Sequence, residues 1–265
     1  CVECDLSNAR LEGLDLSNAY LESTDLTRVR LRNANLQGAT FLSVNISGGD
    51  LANANLSNSE WGYVITRGAN LLGVDFSEAT IVETDFSDSR LTSPIMRGVV
   101  LDTVYIRNKS LSGVDFKDAW IQNSVFSGSS FTRADLRGAR ISASGFVGVD
   151  LADASLDNTS IASTRMQRGN FRKANFSGAR LIDIDFRDAN LREAQFTDTQ
   201  FSRISFENAI LIYSDIIGSN IEELADQQAA GTIDSRNGII LEGAIWVNGE
   251  ICLDRECTNA RQNMR

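Results

Sequence analysis

Four cysteines are the residues with the clearest capacity for chemistry, and they lie at the two ends of the chain. They form the motifs Cys1-x-x-Cys4 and Cys252-x4-Cys257. Two close pairs favour two local disulfides, which indicate an oxidising compartment. The alternatives are four free thiols in a cytosolic protein, or metal or redox chemistry. A zinc site built from both pairs requires the two ends of the chain to meet, and the elongated fold that we expect below keeps them apart.

The other residue types argue against catalysis. The chain contains no histidine, so the commonest general base and metal ligand is missing, and no imidazole activates the many serines. Neither a glycine-rich phosphate loop nor an HExxH motif occurs. Carboxylate pairs such as Asp183 and Asp185 recur because the sequence itself repeats. We therefore expect a protein that is not an enzyme and has no cofactor and no metal ion.

Charge and hydropathy exclude two further classes of protein. The formal net charge of −10 over 265 residues argues against direct binding to nucleic acid phosphates. No run of about 18 apolar residues occurs, so we expect no membrane span. No signal peptide is visible and the chain begins abruptly at Cys1, from which we expect a mature or trimmed form.

A five-residue period organises almost the whole chain. From Leu6 to Ile221 every fifth residue is apolar, with Thr66 as the exception. This period fits neither an α-helix nor a flat strand. A small residue, often alanine, stands two places before each apolar centre, so both point into a narrow interior. Asp or Asn commonly stands between them, and we expect these side chains to bond to nearby turn backbone.

This repeating unit resembles the pentapeptide repeat family over residues 4–223. It reads Ala-Asn-Leu at 34–36, 54–56, 69–71 and 189–191, Ala-Asp-Leu at 134–136, and Ala-Asn-Phe at 174–176. The resemblance implies an all-β solenoid, a right-handed four-sided parallel β-helix with four of these five-residue units per coil. About eleven coils at a spacing of ~4.8 Å make a rod of roughly 50 Å.

Positions 20 apart carry similar residues, which supports a four-sided coil. One interior column reads Phe126, Phe146, Met166, Phe186 and Phe206, and another reads Leu11, Leu31, Leu51, Leu71, Leu91 and Leu111. Similar side chains stack well in successive coils. Aspartates before the centres fall on two opposite faces, as Asp5, Asp25, Asp85 and Asp185 and as Asp15, Asp75, Asp115, Asp135 and Asp215. The other two faces carry Arg10, Arg30, Arg90, Arg140 and Arg180.

We divide the chain into a β-helix over residues 1–221 and a C-terminal cap over residues 222–265, because a solenoid needs its ends covered. Asn220 is positioned to N-cap a short helix, with Glu223 completing a capping box and Gly231 ending it. The turn Asn248-Gly249 between two apolar runs then predicts a β-hairpin.

The repeat departs from its own pattern between residues 60 and 125. Trp61 is a bulky centre, and Pro94 and Lys109 fill slots for small inward residues; Pro94 lacks an amide hydrogen, so we expect one inter-coil hydrogen bond to be lost. Outward positions here are unusually apolar and fall along one edge of the stacked coils, which predicts an interaction patch. The patch comprises Tyr63, Ile65, Val82, Val100, Tyr105, Trp120 and Val125. The alternatives are ordinary β-formers on a flat face, or local packing around the two irregular residues.

We interpret the chain as a non-catalytic structural or protein-interaction scaffold with an unidentified protein partner, either a monomer or a weak dimer. The cysteine pairs and the family resemblance favour the periplasm or the thylakoid lumen over the cytoplasm. The resemblance also implies an alternative, a DNA mimic that binds DNA gyrase and confers quinolone resistance. Such relatives are usually cytosolic and dimerise through their C-terminal ends. The mild charge, shared with arginines on alternate faces, argues against this alternative.

Overall fold

The chain folds into an all-β parallel solenoid, as predicted. The structure, a computed structural model, describes residues 1–221, 244–245 and 251–252, and these contain strands and turns without a helix. Each strand is three residues long. The strands are β1 (Tyr20–Glu22), β2 (Thr40–Leu42), β3 (Glu60–Gly62), β4 (Asn70–Leu72), β5 (Thr80–Val82), β6 (Arg90–Thr92), β7 (Val100–Asp102), β8 (Trp120–Gln122), β9 (Arg140–Ser142), β10 (Ser160–Ala162), β11 (Arg180–Ile182) and β12 (Gln200–Ser202).

Every strand pairs in parallel with an equivalent strand of a neighbouring coil. Leu21 lies opposite Phe41, for example, and Ile161 lies opposite Leu181. Ten strands form one long sheet in the order β1-β2-β3-β5-β7-β8-β9-β10-β11-β12, and β4 pairs with β6 in a second sheet. Single-residue parallel bridges build the rest of the faces, with the same offset of one coil. Four faces in every coil confirm the predicted four-sided shape.

The turns between faces explain the polar residues of the repeat. The second residue after nearly every apolar centre has a positive φ, such as 58° at Asn8 and 67° at Gly13, with Asp88 as an exception, and Asn and Gly tolerate this backbone conformation best. The carboxylate before the centre accepts a hydrogen bond from the amide two residues later, as Asp75 does from Ser77 at 2.8 Å. The Asp and Asn side chains thus bond to turn backbone, as expected.

The apolar centres and the small residues fill the interior of the rod. The predicted columns are present, because the rings of Phe126 and Phe146 stack at 4.8 Å and those of Phe186 and Phe206 at 5.5 Å. Trp61 is fully buried, with its ring 4.9 Å from that of Phe41. Thr66 is also buried, and its hydroxyl donates to the carbonyl oxygen of Asp85 in the next coil, at 2.6 Å.

At the N-terminal end, Val2 bridges Glu22 and so extends the long sheet by one level. The ten strands of the long sheet span nine turns, fewer than the eleven coils expected, and the first coil adds only this bridge to the sheet. Cys1 and Cys4 are joined by a disulfide, with their Cα atoms 5.9 Å apart. The carbonyl oxygen of Cys1 accepts a hydrogen bond from the amide of Glu22 at 3.1 Å. The bonded segment therefore lies directly against β1.

At the C-terminal end, Asn220 plays a different part from the predicted helix N-cap. Its side-chain amide pairs with the backbone of Phe201: Oδ1 accepts from the amide nitrogen at 2.7 Å, and Nδ2 donates to the carbonyl oxygen at 3.0 Å. One side chain thus takes the place of the next strand in pairing with Phe201. The predicted helix itself, with Glu223 and Gly231, lies outside the described residues.

The described parts of the cap continue the rod. Ile245 bridges Asp215 in parallel and Ile251 in antiparallel. Ala244 and Cys252 are buried in the core, and Cys252 takes part in a disulfide. The turn at Asn248-Gly249, Cys257 and most of the predicted cap lie outside the described residues, so the domain division at residue 221 stays a prediction.

Candidate functional site

The seven outward apolar residues between positions 60 and 125 lie together on one edge of the rod. Val100 and Trp120 begin β7 and β8, and Val82 ends β5, so all three belong to the outward surface of the long sheet. Tyr63 stands at the following corner. The remaining three, Ile65, Tyr105 and Val125, belong to one ladder on the adjacent face. We call these seven residues the apolar edge.

Register brings members of the apolar edge together in two direct pairs. Val100 pairs with Trp120 in the long sheet, and Tyr105 bridges Val125 on the adjacent face. Trp120 is 49% exposed, and Tyr63 and Ile65 are each 54% exposed, whereas the other members are half-buried. Contiguous exposed aromatic and β-branched side chains on a flat sheet are typical of a contact surface.

Charged groups border the apolar edge. The Arg107 guanidinium lies 4.4 Å from the centre of the Tyr105 ring and 3.7 Å from the carboxylate of Asp85. On the long sheet, the carboxylate of Asp102 accepts hydrogen bonds from Gln122 and Asn123, both at 2.9 Å. The bond from Asn123 is the main cause that lowers the pKa of Asp102, against a smaller effect of burial. The border is therefore polar and ionised at neutral pH.

Pro94 does not remove an inter-coil hydrogen bond through its own missing amide hydrogen, contrary to our expectation. At the equivalent position two coils later, the amide of Ala134 donates within its own coil, to the carbonyl oxygen of Phe131 at 2.9 Å. Ala54 does the same with Leu51, also at 2.9 Å. A proline here therefore removes a turn bond, because the amides that point along the rod belong to other positions of the unit.

The ladder is nevertheless interrupted beside Pro94. Among the described residues, no bridge joins Arg90 to Ser110 or Ile95 to Asp115, although both columns are bridged in the next coil. We call this boundary between coils the seam. Lys109 lies at the seam in a slot for a small residue, and its Nζ donates to the carbonyl oxygen of Ser89 at 2.5 Å.

The seam and the apolar edge lie on different faces. Beneath the apolar edge the ladders are continuous, since Asp85 bridges Tyr105 and Thr80 pairs with Val100. The apolar residues are therefore not local packing around Pro94 and Lys109. That leaves a contact surface or an ordinary flat sheet face as the two interpretations.

The recurring carboxylates do not form a free acid–base pair. Asp183 is bound by Arg203, and Asp185 by Arg187, whose Nη2 lies 2.6 Å from Oδ2. The hydrogen bond from Arg203 lowers the pKa of Asp183. Within residues 1–221 and the short described segments beyond, no group of three or more metal-ligating side chains occurs. No helix long and apolar enough to cross a membrane occurs there either.

Two family models match the chain. The model described as pentapeptide repeats (8 copies) matches residues 4–41, 23–58, 64–102 and 110–144, and the model described as a pentapeptide repeat region matches residues 139–216. The two stretches left between these matches, 59–63 and 103–109, contain the buried Trp61 and the seam residue Lys109. They also contain Tyr63 and Tyr105 of the apolar edge.

Solved structures of several repeat proteins are similar to the chain. HetL, a pentapeptide repeat protein involved in heterocyst differentiation regulation from Nostoc sp. PCC 7120, is 19% identical, with 94% of this chain and 92% of that one covered and a TM-score of 0.33. A pentapeptide repeat protein from the Arabidopsis thaliana thylakoid lumen is 26% identical over 36% of this chain and 67% of that one, with a TM-score of 0.35. QnrB1, a plasmid-mediated fluoroquinolone resistance protein, is 11% identical over 90% and 92% of the two chains, with a TM-score of 0.32. No curated protein sequence matches the chain.

Proposed function

Since the chain belongs to the pentapeptide repeat family, we propose that it is a non-catalytic protein-interaction scaffold whose contact surface is the apolar edge. The observation that supports this function is that exposed Tyr63, Ile65 and Trp120 lie with half-buried aliphatic residues on two adjoining faces of the rod. A rigid rod with one apolar border presents a long surface that costs little entropy to order on binding.

The double variant Tyr105→Ser, Trp120→Ser tests this function. Both side chains are outward, so the variant folds, and we expect it to lose the co-purifying proteins of the wild type. Tyr213→Ser is the control, because Tyr213 is 65% exposed and belongs to a different corner of the rod. If the double variant and the control both retain every interaction of the wild type, the proposal is wrong.

We place the protein in an oxidising compartment, either the periplasm or the thylakoid lumen. The two cysteine pairs support this placement, and Cys1 and Cys4 are close enough to bond without moving the backbone. A thiol titration of the native protein is expected to find no reactive cysteine. Four reactive thiols would point to the cytoplasm instead.

Gyrase binding by DNA mimicry is the second candidate, because aspartates form ladders on opposite faces, as at Asp5 and Asp25 and at Asp115 and Asp135. Arginines offset part of this charge, and Arg137 holds Asp135 through its Nη2 at 2.6 Å. We therefore expect no effect of the protein in a gyrase supercoiling assay. Inhibition of supercoiling would favour the mimic over the scaffold.

A further inference from the structure

The outward surface of the long sheet, which we call the long-sheet face, separates its charges along the rod. Glu22 and Glu60 precede Val100, and Arg140 and Arg180 follow it, all at outward positions of their strands. Apolar residues of the apolar edge lie between the two groups. A face that is acidic at one end and basic at the other is complementary to a reversed copy of itself.

We propose that the long-sheet face binds a second copy of this chain, antiparallel to the first, about a twofold axis at the level of Val100. The proposal rests on the scaffold function and names the partner of its contact surface. The axis runs across the rod. Each strand of one copy therefore lies opposite the strand of the other copy that is the same number of coils from Val100, on the opposite side of it.

This symmetry pairs residues of matching chemistry. Glu60 lies two coils before Val100, and Arg140 lies two coils after it, so the axis creates two Glu60–Arg140 ion pairs. Tyr20 lies four coils before Val100 and meets Arg180, four coils after it, in a cation–π contact. The first residues of the strands at the two ends of the sheet thus face residues of complementary chemistry in the other copy.

The charges in question are available for such contacts. Among the described residues, neither Glu60 nor Arg140 nor Arg180 has an ion-pair partner, and all three are exposed. Arg137 and Arg187, on other faces, are each paired with a carboxylate within their own coil. The three charges of the long-sheet face are thus unpaired within the described part of the chain.

The size of the face sets the expected affinity. Ten strands span nine steps of ~4.8 Å, or about 43 Å, and three residues per strand give a width of about 10 Å. Two such faces bury roughly 900 Å² in total, because the side chains of a flat sheet add little to its surface area. This buried area falls in the range of weak and transient interfaces. We therefore expect a weak dimer.

Asp102 makes the one unfavourable contact of this arrangement. It ends β7 at the level of the axis, so the axis brings it close to its own copy. The donors of Gln122 and Asn123 keep the carboxylate on its own surface but do not cancel its charge. Asp102→Asn is expected to strengthen self-association severalfold, because it removes the repulsion between like charges.

Charge reversal tests the pairing, with sedimentation equilibrium of the full chain as the readout. Glu60→Arg and Arg140→Glu are each expected to weaken self-association by about tenfold or more, because each creates two like-charge contacts. An equimolar mixture of the two variants restores association, since every reversed residue then meets an opposite charge. Arg90→Glu, on the exposed surface of the second sheet, is the control and behaves as the wild type.

Mixing the Glu60→Arg and Arg140→Glu variants distinguishes the antiparallel dimer from any other mode of self-association. A monomeric wild type, or two variants that fail to associate when mixed, would overturn the antiparallel dimer. Neither result touches the scaffold function, which the Tyr105→Ser, Trp120→Ser variant tests through other proteins. Conversely, restored association in the mixture supports the dimer even if no other protein binds the apolar edge.

Discussion

Two neighbouring coil boundaries differ in their hydrogen bonding although their interiors are equally apolar. On the two faces beside Pro94, the boundary beyond the seam has six backbone bonds: the amides of Leu111, Gly113, Phe116, Asp118, Ser130 and Asp135 donate to the carbonyl oxygens of Ser130, Thr132, Asp135, Arg137, Lys109 and Val114, at 2.7 to 3.0 Å. Of their six equivalents at the seam, the described residues show two, from the amide of Met96 to the carbonyl oxygen of Asp115 at 3.1 Å and from the amide of Gly98 to that of Lys117 at 2.9 Å. The other four backbone bonds are replaced or lost.

The missing backbone bonds of the seam lie on different faces from the proposed contact surface. At the seam the Ser89 carbonyl oxygen, which would accept from the amide of Ser110, accepts from the Lys109 ammonium instead. The ladder beneath the apolar edge stays intact, because Val100 still pairs with Trp120. A solenoid that is held by nearest neighbours tolerates such a local fault.

The largest expected effect comes from the regular part of the rod. Phe186 is fully buried, stacks on Phe206 and meets the ring of Phe171 edge-on at 5.4 Å. Phe186→Ala is expected to cost about 3–5 kcal/mol of unfolding free energy, because it leaves a cavity in closely packed coils. Chemical denaturation followed by circular dichroism measures the loss.

Trp61→Phe is the comparison from the irregular part. The indole Nε1 of Trp61 is buried without a hydrogen-bond partner, so the smaller ring loses packing but also removes an unsatisfied donor. We expect a net change of about 1 kcal/mol or less. A loss as large as that of Phe186→Ala would contradict the idea that the irregular part is less closely optimised.

The sequence predicts the regular part almost completely, because one rule repeats. The five-residue period places Phe126 on Phe146, and the polar residue before each centre bonds to the turn. The seam is less predictable, because the sequence marks Pro94 and Lys109 as unusual but does not show which amides point along the rod. The pairing of Asn220 with Phe201 is hard to predict for a similar reason: an Asn before a polar segment is typical of a helix cap, and an amide that pairs with a strand has the same sequence.

The candidate site is likewise predictable from the sequence only in part. Spacing alone brings the seven members of the apolar edge onto one border, since positions 20 apart share a column. Whether they bind a partner does not follow from spacing. The separation of Glu60 from Arg140 becomes visible only when the long sheet is drawn as one face, because other residues intervene between them in the sequence.

Lys109→Met tests whether the contact between Lys109 and Ser89 stabilises the seam. The variant keeps the length of the side chain but removes the donor to the carbonyl oxygen of Ser89, and an unsatisfied carbonyl costs about 1–2 kcal/mol. Lys117→Met is the control: its Nζ lies 3.6 Å from Asp135 at the surface, and we expect a loss below about 0.5 kcal/mol. Equal denaturation midpoints for the two variants would show that the Lys109 contact does not hold the seam.

Hydrogen exchange tests the seam directly. The amides of Leu91, Ser93, Ser110 and Asp115 have no backbone partner across the seam in the described residues, whereas their equivalents in the next coil do. We expect protection at least about tenfold lower for the seam amides than for those equivalents, because local opening there breaks fewer bonds. Equal protection on the two boundaries would mean that the seam is closed in solution.

The smallest expected effect is a pH dependence confined to the regular side of the seam. Hydrogen bonds from the Arg137 side chain, with the charge of Lys117, hold the pKa of Asp135 at about 2, below its ordinary 3.8. A carboxyl with a depressed pKa stabilises the fold above pH 3.8, and this contribution disappears as the pH falls through about 2. Because the pair is partly exposed, we expect about 1 kcal/mol or less. Asp135→Asn should reduce the loss of stability between pH 4 and pH 2. Equal slopes of stability against pH in Asp135→Asn and the wild type would show that this ion pair contributes nothing to the regular coils.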